Sequence, residues 1–248
     1  MRFLAAIKFL TIIPLPWYRE VSPEEVGRSI GYFPVVGLII GLVLAGLNWL
    51  MGLFLPPAMV NVLLIIFLVM MSGGLHLDGF IDTCDGIAGH KAVEVRWEVM
   101  RDSRVGSFGV IGVFCLLLLK YASLNTVPEH LMVIALVIMP VVSRWAMVYA
   151  VFVYPYARPS GLGKVFKQEA RWYWFTMATV ITVAVAFIVA EIAGLIIMLG
   201  IWIVTVVVAF YLKRKFSGLT GDNYGAINQV AEVCVLIIVI LLARLGLI

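Results

Sequence analysis

The chain has 248 residues, 63% of them hydrophobic and 13% charged, with a mean hydropathy of +1.09. A soluble domain carries about 25% charged and about 45–50% apolar residues, so no single globular core hides this much apolar surface and lipid is the expected solvent. The net charge of +4 lies beside apolar runs rather than in one basic patch, which argues against nucleic acid as a partner. Cys84, Cys115 and Cys234 have no paired spacing, which argues against a disulfide framework or a zinc site.

In chain order, Phe3 to Ile13 is apolar but too short to span, since a crossing helix needs about 17–25 residues. No cleavage site follows it, so it reads as an interfacial or re-entrant helix that stays attached. Ser22-Pro23-Glu24-Glu25 is a capping box that starts a short helix. Seven apolar runs are long enough to cross, roughly 32–55, 58–75, 108–124, 131–153, 173–190, 194–212 and 229–248. The forty residues from 173 to 212 would extend about 60 Å as one helix, so a turn is expected near Glu191–Gly194. Gly37, Gly41 and Ala45 repeat at four-residue spacing, as in close helix packing within lipid or in glycine-rich spans generally.

Placing the N-terminus in the cytoplasm puts fifteen of the eighteen lysines and arginines in segments 1–31, 76–107, 154–172 and 213–228. The opposite loops hold none, and Lys120, Arg144 and Arg244 lie within spans. The positive-inside bias therefore predicts an all-α, polytopic transmembrane bundle of about seven spans with a cytoplasmic N-terminus. It is one integral membrane domain over 1–248, with an interfacial segment 1–31 and a cytoplasmic acidic segment 72–109.

Asp78, Asp82 and Asp85 stand at i, i+4 and i+7, within about 60° of one another on a helix. Like charges at that spacing destabilise a helix, and the C-terminal end of a second span would add an unfavourable dipole. A bound cation relieves both, and an all-oxygen donor set favours Mg²⁺ or Mn²⁺. A solvated cytoplasmic face is the alternative; Gly73, Gly74, Gly79, Gly86 and Gly89 count against it by allowing close backbone approach to a ligand.

Further along, Asp102-Ser-Arg104-Val-Gly106 precedes a span whose N-terminal N–H groups suit phosphate, with Arg101 or Arg104 as a clamp. An ordinary cap with positive-inside arginines explains the same residues. The loop from Tyr156 to Lys164, with Arg158, is basic and glycine-rich but is not a Walker A loop. It is either an anion-binding loop or a plain juxtamembrane one. Asp222 opens the last span, and Glu232 lies inside that span and needs a partner; Arg144, equally deep, is the expected one. His76 and His90 flank the aspartates as bystanders or bases, and His130 lies on the far side.

Taken together, Gly73-Gly-Leu-His-Leu-Asp-Gly-Phe-Ile-Asp-Thr-Cys-Asp-Gly86, Asp102-Ser-Arg-Val-Gly106, Ala157-Arg-Pro-Ser-Gly-Leu-Gly163, Gly221-Asp222 through Gly225-Ala226 and the opening Phe9-Leu-Thr-Ile-Ile-Pro14 resemble the cobalamin synthase family. The resemblance implies an inner-membrane, multi-pass, Mg²⁺-dependent transferase with its active site facing the cytoplasm. It would join adenosylcobinamide-GDP to α-ribazole, or its 5′-phosphate, and release GMP. It implies Asp78, Asp82 and Asp85 as metal ligands, with Asp82, Asp85 or His76 in catalysis. Asp102, Arg104, Arg158, Lys164, Asp222, Asn228 and Glu232 would bind substrate. The partners it allows are the two substrates, the lipid bilayer and a homo-oligomer, with no nucleic acid. Gln229 stands where members commonly carry a second glutamate. The acidic spacing is also similar to that of CDP-alcohol phosphotransferases, without their arginine and fourth aspartate. A secondary transporter is the other alternative, though it would place its polar groups near the midplane.

Overall fold

The computed structural model describes residues 2–15, 21–89 and 92–248; His90, named above, and Arg19 and Lys91, counted above among the basic residues, lie outside the described residues. All regular structure among the described residues is helical apart from one isolated bridge, Tyr156 to Leu219. Eleven α-helices follow in order: α1 Arg2–Leu10, α2 Pro23–Gly27, α3 Phe33–Gly52, α4 Pro57–Met71, α5 Leu75–Ile87, α6 Val93–Val99, α7 Ser107–Thr126, α8 Met132–Val153, α9 Leu162–Glu169, α10 Trp172–Phe216 and α11 Gly221–Arg244.

The helices begin and end where the sequence chemistry requires. The capping box before α2 forms, with Glu25 N–H donating to Ser22 Oγ and Ser22 N–H donating to Glu25 Oε2, both at 3.3 Å. Pro56 and Pro57 end the loop after α3 and open α4. α10 is two helices joined at Ala190 (φ −143°) and Glu191 (φ 48°), as the length of its apolar run demands. A Cβ on Gly194 would strike the Ala186 carbonyl oxygen, so a glycine is what lets the second half fold back so closely.

Among the described residues, five helices are long and apolar enough to cross a membrane, counting α10 once; α4 with α5 makes a sixth candidate, but the two are bent by 89°. α4 alone, at 15 residues, is about 22 Å long and falls short of a hydrocarbon core of about 30 Å. α8 is the central post, buried along most of its length and packed against α3, α10 and α11. The small residues of α3 serve that contact. Added Cβ atoms on Gly37 and Gly41 would collide with the Pro140 carbonyl and with the Val137 Cα (2.8 Å), so this stripe is a packing face.

Candidate active site

The site is built on the break between α4 and α5. Gly73 (φ 59°) and Gly74 (φ 72°) are left-handed, which ends α4 and turns the chain sharply. α5 is therefore a helix in its own right rather than the tail of a span. Asp78 lies in its first turn, where the dipole favours a carboxylate, so the unfavourable C-terminal position expected from sequence does not arise for it, whereas Asp85 lies in the last turn of α5.

α5 lies across the first turns of α7 and α11, and glycines make the contacts possible. A Cβ on Gly79 would sit 2.8 Å from the Asp222 carbonyl oxygen, and one on Gly225 would sit 3.1 Å from the His76 backbone. Gly86 packs on Met100 in the same way, at 2.7 Å. These glycines admit neighbouring helices and side chains, where the sequence suggested a ligand. Asn223 Nδ2 donates to Thr83 Oγ1 at 3.0 Å, fixing α11 to α5.

Asp85 is buried, and its two oxygens accept from Gly106 N–H and Gly109 N–H, each at 2.8 Å. The α7 N-terminus expected to hold phosphate is thus already capped by a carboxylate from α5. Asp102 and Arg104, expected at the same phosphate, instead pair with each other at 2.6 Å on the surface, with the Arg104 side chain 88% exposed. Hydrogen bonds from the Arg104 side chain and backbone hold the Asp102 carboxyl down at about 2.

A second constraint brings the basic loop to this place. Ala157 N–H donates to the Leu219 carbonyl and Leu219 N–H to the Pro155 carbonyl, both at 2.8 Å. That bridge sets Arg158 beside α11, where Nη1 meets Asp222 Oδ2 at 3.0 Å. Arg158 Nε and Nη2 are buried with no hydrogen-bond partner among the described residues. Lys164 turns back to the Pro159 carbonyl at 2.6 Å.

Between these elements lies a cavity of about 420 Å³, in the size range of small-molecule sites. Its polar wall carries His76, Asp78, Arg101, Arg158, Asp222 and Tyr224; its apolar wall carries Phe9, Phe33, Met147, Val151 and Phe166. Asp82 is not among the lining residues but neighbours Asp78 and Asp222, which are. Burial, then the neighbouring Asp78 and Asp222 carboxylates, push its carboxyl up to about 7. Of the residues expected from sequence, His76, Asp78, Arg158 and Asp222 therefore line the cavity. Asp82 adjoins it, Asp85 holds α7, and Asp102, Arg104 and Lys164 pair locally outside the lining.

Asn228 and Glu232 lie deeper, fully buried, and do not line the cavity. Glu232 takes Arg144 Nη1 at 2.6 Å, Lys120 Nζ at 2.7 Å and Asn228 Nδ2 at 3.0 Å. The Arg144–Glu232 pair is the one anticipated. Lys120, which also donates to Gln229 Oε1 at 2.9 Å, is the partner that sequence reasoning missed. Its signal was there: a lysine inside an apolar run needs an acid as much as Arg144 does. Arg101, one of the two clamps the sequence offered, lines the cavity; Tyr156 and Tyr224 line it as well and were not singled out from sequence. Nothing in the spacing of the two tyrosines marks them, because they reach the cavity only through tertiary packing.

Among the described residues, no three His, Cys, Asp or Glu side chains converge closely enough to form a ready metal cage. The carboxylates Asp78, Asp82 and Asp222 nevertheless crowd together, with Arg158 as the cation paired to Asp222. Hard oxygen donors in excess of positive charge, beside free guanidinium donors, suit a divalent cation that shares its coordination with a phosphate.

A helical bundle with several helices long and apolar enough to cross a membrane, and with Asp78, Asp222, Arg101 and Arg158 lining one partly open cavity, has the make-up of a multi-pass membrane protein with a polar site. The chain belongs to the cobalamin-5-phosphate synthase family, which matches residues 2–240. Proteins named adenosylcobinamide-GDP ribazoletransferase are similar to it throughout. That of Roseiflexus sp. (strain RS-1) is 39% identical over 231 residues, 93% of this chain and 86% of its own. That of Geotalea daltonii is 36% identical over 93% of each chain, and that of Desulforamulus reducens 35% over 95% of this chain and 94% of its own. No solved structure matches.

Proposed function

We propose that this chain is a membrane-embedded transferase that joins adenosylcobinamide-GDP to α-ribazole, or to its 5′-phosphate, and releases GMP. The observation that carries the reading is the polar wall itself: Asp78 and Asp222 face the same cavity as Arg101 and Arg158. The names of the relatives supply the substrates, and the wall has the groups that a pyrophosphate needs. The lopsided lysine and arginine distribution supports placing that wall at the cytoplasmic face.

Arg158 Nε and Nη2, both unpaired, would donate to phosphate oxygens as a planar fork. Mg²⁺ would be held by Asp78 and Asp82; when bound, it neutralises phosphate charge and stabilises the departing phosphate. Asp85 could join them only by releasing the backbone N–H groups of α7. A ribazole hydroxyl oxygen would form the new bond to the phosphorus on the corrinoid side, as that phosphorus loses its bond to the bridging oxygen of GMP. His76 is the candidate to take the hydroxyl proton: it lines the cavity, and neither ring nitrogen has a partner among the described residues.

The test is direct. Protein purified in detergent should release GMP only when adenosylcobinamide-GDP, α-ribazole and Mg²⁺ are all present. Release without α-ribazole would mean a hydrolase, and no release under any combination would remove the reading.

A further inference from the structure

The cavity is divided chemically. Part of its lining is three phenylalanines from three helices that touch one another: Phe9 of α1, Phe33 of α3 and Phe166 of α9. Their ring centroids lie 6.0 Å apart for Phe9–Phe33, 4.9 Å for Phe9–Phe166 and 5.5 Å for Phe33–Phe166. Met147 and Val151 of α8 line the cavity too, and none of these five side chains offers a strong hydrogen-bond donor or acceptor. The charged groups Asp78, Arg101, Arg158 and Asp222 line the same cavity, with Arg158 paired to Asp222.

We propose that this aromatic part of the cavity lining is the subsite for the benzimidazole ring of α-ribazole, so that Phe9, Phe33 and Phe166 select the base of the incoming nucleoside. The inference rests on the transferase reading above. Two bases compete for an aromatic subsite in this reaction, and their edges differ. Guanine carries a carbonyl, a ring N–H, an amino group and a ring acceptor; burying them against phenylalanine and methionine would leave them unpaired. Dimethylbenzimidazole presents two methyl groups and a single free ring nitrogen, which matches an apolar slot. The corrinoid, rimmed by amides, is too large and too polar for a cavity of about 420 Å³. With the base against the phenylalanine cluster, the ribose would extend toward the charged groups, where its hydroxyl would meet the phosphate.

The placement also gives the N-terminal helix a task. α1 is too short to cross a membrane, yet Ile12 N–H donates to the Met71 carbonyl at 2.9 Å, beside the turn that starts α5. α1 is thereby held against the site, and Phe9 becomes part of its wall.

Phe9→Leu and Phe166→Leu preserve apolar bulk and remove the ring faces. Each should raise the KM for α-ribazole about three- to tenfold, as expected for the loss of one aromatic contact, while the KM for adenosylcobinamide-GDP stays within about twofold. Calorimetric titration of α-ribazole into the purified protein, without the corrinoid substrate, should show the same weakening. Thermal unfolding of each variant confirms that it is folded. A rise in the KM for adenosylcobinamide-GDP alone would assign the rings to guanine and overturn the proposal; unchanged values for both substrates would make the rings packing only. Wild-type protein that binds α-ribazole but releases no GMP would sink the transferase reading and leave the subsite standing.

Discussion

Asp82 and Asp85 are three residues apart on α5, yet their oxygens are committed differently. Both oxygens of Asp85 already accept backbone N–H groups of α7, whereas Asp82 is crowded by Asp78 and Asp222. Substitution should separate the two. Asp85→Ala strips two N–H groups of their acceptor and should lower stability by about 1–2 kcal/mol, the usual loss for a helix cap, read by thermal unfolding in detergent. Asp82→Asn should leave the unfolding midpoint unchanged or raised, because it removes a carboxylate from a like-charged group. A fall in stability for Asp82→Asn matching that of Asp85→Ala would show that Asp82 too is structural.

Two helix junctions carry the site. α5 touches α11 through Gly79 and Gly225, with no room for a methyl group at Gly79, 2.8 Å from the Asp222 carbonyl. Gly79→Ala should cost about 1–3 kcal/mol by overpacking and should move Asp78 away from Asp222, lowering turnover more than Gly46→Ala on the open side of α3. Equal effects at the two glycines would contradict that geometry. The second junction is the buried cluster joining α7, α8 and α11. Two cations, Lys120 and Arg144, share the Glu232 carboxylate, with neutral Gln229 beside Lys120. Glu232→Gln leaves both cations uncompensated and should cost at least the about 3–5 kcal/mol typical of a broken buried pair. Lys120→Met leaves Arg144 and Glu232 matched one to one and should cost less. Chemical denaturation of the three proteins gives the order, and a costlier Lys120→Met would reverse the charge argument.

At the scale of the whole molecule, much was legible because membranes demand long apolar runs and proteins punctuate them with proline, glycine and charge. The helical class, the break at Glu191 and the pairing of Arg144 with Glu232 all followed from those demands. The separateness of α5 did not, because two glycines after an apolar run read equally as a flexible end or as a sharp turn. The capping of α7 by Asp85 was hidden too: a carboxylate written into a metal-like spacing gives no sign of which backbone it faces. Orientation is checked by labelling single cysteines in a background lacking the native three. A cysteine at Leu162 should react only after permeabilisation, and one at Glu129 should react in intact cells; the reverse pattern would invert the topology. The central claim is that the carboxylates beside the cavity hold the cation on which transfer depends. The most direct measurement is GMP release against Mg²⁺ concentration for Asp78→Asn, Asp82→Asn and, as the surface comparison, Asp102→Asn. The account predicts severe loss of turnover and a raised Mg²⁺ requirement for the first two, with near wild-type dependence for the third. Unchanged Mg²⁺ dependence in both Asp78→Asn and Asp82→Asn would contradict it.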